Sequence, residues 1–227
     1  MATILITGTT GFVGKHFLEF AIASSDVAKV ISVTRKPLAL DTPSKTSTKL
    51  HEIILSTEDE WLNWPPSAVS QLATVEACIW CLGITPGKGC HAGSATGSSS
   101  SYKHSHIRFT RKWTIKIPPY LWPDGRARPN AKLWIMDEYR KIRGAGERAA
   151  LAFEQEKGRA AVEVSIARLG KVTSDGWPQW LASIVLRNLV RAPMISITEV
   201  VRSFLKVALH GTDKTMLSNE DLRLGKV

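Results

Sequence analysis

Three glycines near the start of the chain have the spacing that lets a backbone approach phosphate groups. They are Gly8, Gly11 and Gly14. The β-branched run Thr3–Thr7 precedes them, and a helical pattern begins at Phe12. Glycines leave room for a ligand, and a helix N-terminus presents N–H donors and a favourable dipole to an anion. This order of strand, glycine turn and helix predicts a dinucleotide-binding site; an ordinary tight turn is the alternative.

Two cations, Arg35 and Lys36, directly follow the predicted second strand. In a dinucleotide fold this position meets the adenosine ribose. An acidic residue there accepts a hydrogen bond from the 2′-hydroxyl of NAD, whereas a cation suits the 2′-phosphate of NADP. The next acidic residue is Asp41. Because a guanidinium can grip a phosphate with two hydrogen bonds, Arg35 favours NADP over NAD; a solvated basic loop is the alternative.

Apolar periodicity places these residues on alternating strands and helices, which predicts an α/β fold with a doubly wound parallel sheet. Pro65 and Pro66 mark the start of a short helix. Strands are predicted at Thr3–Thr7, Val30–Thr34, Lys49–Leu55, Val75–Leu82 and Val162–Leu169, and helices at Phe12–Ser24, Met136–Lys157 and from Thr198, as N-cap, to Gly211.

Residues 88–130 interrupt this alternation. The segment begins rich in Gly and Ser and continues basic, aromatic and rich in Pro, although Lys112–Ile117 alternates as a strand would. A doubly wound fold needs a helix and a fifth strand in this interval, and a long structureless stretch argues against one or the other. We therefore expect one domain over 1–227 with an irregular insert or disrupted region at 88–130. We hypothesise that this region reflects a retained intron or a shifted reading frame.

Most of the net charge of +10 lies in residues 88–132, which hold nine lysines and arginines against the one acid Asp124. Cations beside Trp113, Tyr120 and Trp122 are compatible with binding of single-stranded nucleic acid. Charge alone is weak evidence for such a partner, however, and the rest of the chain is near neutral. We therefore expect a small-molecule substrate and no nucleic acid.

The cysteines argue against both a disulfide scaffold and a metal site. Three cysteines are too few and odd in number for a scaffold, which favours a reducing compartment. Cys78 and Cys81 lie three apart on a predicted strand and so point to opposite faces. A structural metal site needs four converging ligands, and Cys90 and His91 do not complete one here. We expect buried strand cysteines and no metal.

No apolar run approaches the roughly 18 residues that a membrane span needs. The N-terminus passes directly into the first strand, so no cleavable signal is apparent. These features predict a cytoplasmic protein without a membrane partner. They specify no oligomeric state and no particular substrate.

The stretch from Thr7 to Gly14 resembles the TGxxGxxG fingerprint of extended and atypical short-chain dehydrogenases/reductases. The resemblance covers residues 1–87 and 131–227. It also includes the end of strand 4, Cys81–Gly83, and the stretch Ala167–Val172, which resembles an Arg-Pro-Gly-x-Val motif with Leu169 in place of the proline. It implies that the cofactor is held by Gly8, Thr10, Gly11, Phe12, Val13, Gly14, Arg35, Lys36, Leu82, Gly83, Arg168 and Val172.

The same resemblance places a catalytic pair on the long helix. Tyr139 and Arg143 have the i,i+4 spacing of the family's Tyr-x-x-x-Lys motif, in which tyrosine is the general acid/base and lysine lowers its pKa and binds the nicotinamide ribose. Arg143 would also favour tyrosinate and can donate to a hydroxyl, but it differs in shape and stays protonated. The family's substrate-polarising serine has no counterpart in residues 124–133.

Three interpretations remain open from the sequence. The first is an NADP(H)-dependent oxidoreductase that transfers hydride to or from a carbonyl or alcohol carbon. The second is a non-catalytic NADP-binding redox-sensing regulator, which the missing serine and Arg143 favour. The third is a mispredicted or degraded reductase product.

Overall fold

The computed structural model describes residues 1–39, 47–82, 111–117, 137–169, 171–174 and 194–223, with the backbone alone for 111–117, 137–144 and 171. In chain order, the elements within these ranges are β1 (Ala2–Thr7), α1 (Phe12–Ala23), β2 (Val27–Thr34), β3 (Leu50–Ile54), α2 (Glu58–Leu62), α3 (Pro66–Leu72), β4 (Ala77–Trp80), β5 (Arg111–Ile117), α4 (Asp137–Lys157), β6 (Val162–Arg168), β7 (Lys171–Thr173), β8 (Met194–Ser196), α5 (Ile197–His210), β9 (Met216–Leu217) and α6 (Asn219–Arg223).

Seven of these strands form one parallel sheet in the order β3-β2-β1-β4-β5-β6-β9, and β7 pairs with β8 in a small second sheet. The chain runs outward from β1 through β2 and β3, and then returns to place β4 on the other side of β1. Strand order thus reverses between β1 and β4, as in a doubly wound fold. The predicted fold class is confirmed.

Successive side chains of the strands alternate between two apolar layers. Ile4 and Ile6 lie in the layer beneath α1 and α5, whereas Leu5 lies in the opposite layer beneath α2, α3 and α4. Phe17 of α1 and Phe204 of α5 are buried and meet edge to face, with ring centroids 5.6 Å apart. Helices therefore cover both faces of the sheet. Because parallel strands in such a sheet are buried on both sides, their sequences are nearly continuous apolar runs.

A fifth strand is present inside the segment that the sequence marked as irregular. β5 lies between β4 and β6 and pairs in parallel with both, with Lys112 opposite Ala77 and Arg111 opposite Val162. The strand predicted at Lys112–Ile117 is confirmed, so part of the segment expected to be irregular forms the fifth strand that a doubly wound fold needs here. Three cations in seven residues are unusual for a central parallel strand, because such strands are usually apolar throughout. The rest of 88–130 lies outside the described residues.

Most predicted boundaries agree with the structure to within a residue, but β2 is longer than expected. It begins at Val27 instead of Val30, because Ala2 N donates to Asp26 O at 2.8 Å and draws the chain alongside β1 early.

A lysine binds the carbonyl groups at the C-terminal end of α1. Lys49 Nζ donates to the carbonyls of Ile22 and Ser24 at 3.2 and 2.8 Å. This contact satisfies the end of α1 with a cation, as the helix dipole favours.

The N-cap of α5 is Ser196, and the predicted cap at Thr198 is wrong. Ser196 Oγ accepts from Glu199 N at 3.1 Å, and Glu199 Oε2 accepts from Ser196 N at 3.0 Å. This reciprocal capping box requires Glu or Gln three residues after the cap. Glu199 meets that requirement for Ser196, whereas Val201 stands at the corresponding place for Thr198.

We expect Ser196→Ala to lower the free energy of unfolding by about 1 kcal/mol, because it removes the acceptor for a first-turn N–H. Ser67→Ala removes a hydroxyl from the exposed side of α3, outside any capping box, and should have a smaller effect. Urea unfolding followed by circular dichroism measures both. Equal losses for the two variants would contradict the assignment of the cap.

Candidate dinucleotide-binding site

The turn after β1 requires glycine at position 8 for two reasons. Gly8 has φ +72°, in the left-handed region that side chains disfavour. A Cβ atom there would also lie 2.8 Å from the carbonyl carbon and oxygen of Cys81, at the end of β4. The backbones of β1 and β4 therefore approach each other more closely here than a side chain allows.

Gly14 makes the start of α1 fit against this turn. A Cβ at Gly14 would lie 2.1 Å from the carbonyl oxygen of Gly8, far inside van der Waals contact. Gly11 closes the turn, since its N–H donates to Gly8 O at 3.0 Å. A Cβ at Gly11 would lie 3.3 Å from Gly8 O, so this position is tight but less restricted. The three glycines therefore allow the backbone segments to pack closely together, and they also leave room for a ligand to approach the backbone.

The N-terminus of α1 is open to an anion. Its N-cap is Gly11, no side chain caps it, and its first turn contains no acidic residue. Because Lys15 N makes the helical bond to Gly11 O, the N–H groups of Phe12, Val13 and Gly14 precede the first helical hydrogen bond. Gly11 and Thr10 are exposed beside them. This cradle, which has no Cβ at its base, fits a pyrophosphate.

A buried hydroxyl pair that the sequence did not predict anchors the turn. Thr9 Oγ1 and Ser32 Oγ lie 2.7 Å apart, and both residues are almost completely buried. Ser32 is a polar residue inside the apolar strand β2, which was the only signal for this contact in the sequence. The pair fixes the glycine turn of β1 to the neighbouring strand.

Arg35 and Lys36 are exposed directly after β2, at the same carboxyl edge of the sheet as the glycine turn. Neither forms a salt bridge with a described residue. Thr34 Oγ1 donates to the carbonyl of Lys36 at 2.8 Å and so folds the backbone at this point. Asp41, the next acid along the chain, lies outside the described residues.

The end of β4 forms the other side of the turn. Leu82 is half-buried there, and Gly83 lies outside the described residues.

The cysteines near the end of β4 face opposite layers. Cys78 packs in the layer beneath α2–α4 and Cys81 against the layer beneath α1 and α5, so the expectation of opposite faces is confirmed. Burial, with a smaller contribution from Cys81, raises the pKa of Cys78 well above its usual value. Within the described ranges, no group of three metal-ligating residues converges; Cys90 and His91 lie outside them.

Arg168, at the end of β6, is engaged by a carboxylate from α4. Its Nη2 and Nε donate to Oε2 and Oε1 of Glu147 at 2.7 and 3.3 Å. The side chain of Glu147 is 9% exposed and that of Arg168 is 38% exposed. Val172 is half-buried against the core nearby, and Leu169 is buried. The cofactor role expected for Arg168 and Val172 stays a prediction.

Tyr139 and Arg143 lie within α4, which confirms the helix predicted for them. Their side chains lie outside the described part of the structure. Further along the same helix, Ala150 packs in the core and Glu147 binds Arg168. These contacts place α4 against β6, on the opposite side of β1 from Arg35. The catalytic role of the pair stays a prediction.

Across the described ranges, no helix is long and apolar enough to cross a bilayer.

No protein-family model matches the chain. Protein FMP52, mitochondrial, from Lodderomyces elongisporus is 37% identical over 95 residues, a match that covers 41% of this chain and only 37% of that protein.

Solved structures of higher coverage resemble the whole arrangement. Gre2 from Candida albicans, in complex with NADPH, superimposes with a TM-score of 0.66 at 12% identity, over 96% of this chain and 78% of that one. MoeE5 in complex with UDP-glucose and NAD gives 0.62 at 20% identity, over 96% and 75%. Vestitone reductase from alfalfa gives 0.64 at 12% identity, over 96% and 76%. Together with the strand order, these likenesses show that the chain has a doubly wound α/β Rossmann fold.

Proposed function

We propose that this chain binds NADP(H) and acts as an oxidoreductase on a small carbonyl or alcohol substrate. The observation that carries the proposal is the approach of α1 to Gly8, which only glycine at position 14 permits. That packing directs the uncapped helix N-terminus at the carboxyl edge of the sheet. A pyrophosphate bound there would accept hydrogen bonds from the N–H groups of the first turn, which have no acceptor within the helix.

The preference for NADP over NAD rests on Arg35 and Lys36. The solved structures of the same fold include complexes with NAD and with NADPH, so the fold leaves the choice open. Two exposed cations after β2, without a salt bridge to a described residue, suit a 2′-phosphate. An NAD-preferring site would present an acid at this edge for the ribose 2′-hydroxyl.

The chemistry would fall to Tyr139 and Arg143. When bound, the nicotinamide ring supplies or accepts the hydride. Tyr139 would give a proton to the carbonyl oxygen during reduction and take it back during oxidation. Arg143, one turn along α4, would stabilise the phenolate by its charge and donate to a ribose hydroxyl.

A non-catalytic NADP-binding redox regulator is the second candidate. Arg143 in place of lysine, and the absence of a serine from residues 124–133, favour it over an enzyme. A mispredicted or degraded reductase product is the third, and the pairing of β5 with both β4 and β6 weighs against it. We propose a small molecule, and not nucleic acid, a metal or a membrane, as the ligand in each functional case, and we propose a cytoplasmic location.

Calorimetric titration with NADPH and NADH tests the cofactor. We expect NADPH to bind more tightly, and Arg35→Ala to weaken NADPH about tenfold or more while leaving NADH unchanged, because charged hydrogen bonds to the 2′-phosphate are lost. Arg202→Ala, which removes an exposed arginine from α5, is the matched control. Failure of a folded sample to bind either nucleotide would end the proposal.

The glycine packing gives a second test of the same site. Gly14→Ala should abolish nucleotide binding, because its Cβ forces α1 away from the Gly8 carbonyl. Gly11→Ala should weaken binding less, because there is more room for a Cβ at position 11. It therefore gives a graded effect at the same site that can be measured even if Gly14→Ala does not fold. Gly158→Ala is the control. Because Gly158 has a φ of +81°, the substitution should lower the free energy of unfolding by about 1 kcal/mol, but Gly158 lies directly after α4 and an added Cβ would have no atom within 4 Å. Circular dichroism verifies folding, and unchanged nucleotide affinity in Gly14→Ala would contradict the site.

Oxidation of NADPH with a panel of carbonyl compounds separates enzyme from regulator. We expect Tyr139→Phe to retain NADPH affinity and to lower the rate about a hundredfold or more, since general acid catalysis is lost. Equal rates for the two proteins would remove Tyr139 from the mechanism. Tight NADPH binding without turnover of any compound would favour the regulator.

A further inference from the structure

The short loop that carries Arg35 and Lys36 is tied down at both ends. At its start, Thr34 Oγ1 donates to Lys36 O at 2.8 Å. At its end, Leu38 is buried in the core, and its N–H donates to Oε1 of Glu52 on β3 at 3.1 Å. Pro37, between them, has a fixed φ. The two exposed cations are therefore carried by an ordered backbone.

Glu52 is the strand partner of Ser32, the residue that holds the glycine turn. It stands opposite Ser32 in the parallel register of β2 and β3. Paired residues of neighbouring strands point to the same face of a sheet, and Ser32 binds Thr9 beneath the turn. The phosphate cradle and the cationic loop are thus attached to two paired residues, Ser32 on β2 and Glu52 on β3.

This arrangement gives the acid next to the adenosine end of the site an unexpected task. In NAD-binding folds, an acid near this edge accepts from the ribose 2′-hydroxyl. Here the carboxylate of Glu52 accepts a backbone N–H of the loop instead. Its negative charge alone would oppose a 2′-phosphate, so any benefit it brings must come through the hydrogen bond.

We infer that Glu52 is a positioning residue for cofactor discrimination: by holding Leu38 N–H, it fixes the loop that presents Arg35 and Lys36 to a 2′-phosphate. The inference rests on the proposed NADP(H) function and adds to it the residue that sets its selectivity. Glu52 itself makes no contact with the cofactor. Its effect is on the ratio of NADPH to NADH affinity.

Two substitutions at this position separate the hydrogen bond from the charge. Glu52→Gln and Glu52→Ala remove the same negative charge, but only glutamine keeps an oxygen that accepts from Leu38 N–H. We expect Glu52→Ala to lower the preference for NADPH about fivefold, as for one lost hydrogen bond. Glu52→Gln should keep the preference or raise it slightly. Glu76→Ala is the matched control, because Glu76 is likewise exposed and accepts a strand N–H, from Thr3 at 3.3 Å, at the opposite edge of the sheet.

Calorimetric dissociation constants for NADPH and NADH give the ratio for each protein, and amide hydrogen exchange at Leu38 gives a second readout. Exchange at Leu38 should speed up in Glu52→Ala and not in Glu52→Gln. A wild-type preference for NADPH that changes equally in the two Glu52 variants would overturn the inference while leaving the proposed function intact. So would loss of NADH affinity in both, which would make Glu52 a ribose ligand. A wild-type protein without preference would overturn the proposed selectivity and this inference together.

Discussion

The structure depends on a contact between backbones at Gly8. Three segments meet there: the end of β1, the end of β4 and the first turn of α1. An added Cβ would lie 2.8 Å from Cys81 at position 8 and 2.1 Å from Gly8 at position 14. No side chain fits at either interface, so the contact requires residues without a Cβ atom. It brings α1 onto the sheet at the angle from which its N-terminus faces the carboxyl edge.

The topology places that contact where a ligand crevice forms. β1 is central, β2 and β3 lie to one side, and β4, β5 and β6 lie to the other. In doubly wound sheets, a crevice opens outside the carboxyl ends of the strands at the point where the strand order reverses. The arrangement separates two tasks, since the cationic loop after β2 lies on one side of the crevice and α4 lies on the other. Recognition of a cofactor can therefore be retained even where chemistry is lost.

Sequence reasoning found the elements whose signals are local. The strand, glycine turn and helix from Ala2 to Ala23 could be located because β-branched residues, glycines and an apolar stripe follow one another within a few residues. The hydroxyl pair Thr9–Ser32 and the bond from Leu38 to Glu52 could not, because each joins residues whose proximity depends on strand register. The cap of α5 was misplaced by two residues, although the box partner Glu199 was visible in the sequence.

The pair of Glu147 and Arg168 shows how a motif residue can acquire a structural task. Glu147 is the more deeply buried partner, and its carboxylate accepts two hydrogen bonds from one guanidinium. Removing either residue would leave a charge without its partner, which is far worse for a buried carboxylate than for a surface one. Arg168 therefore helps to hold α4 on β6, and that helix also carries Tyr139, about two turns before Glu147. The ion pair thereby helps to set the position of the helix that carries Tyr139, whereas Ser32 and Glu52 hold the turn after β1 and the loop after β2 on the other side of β1.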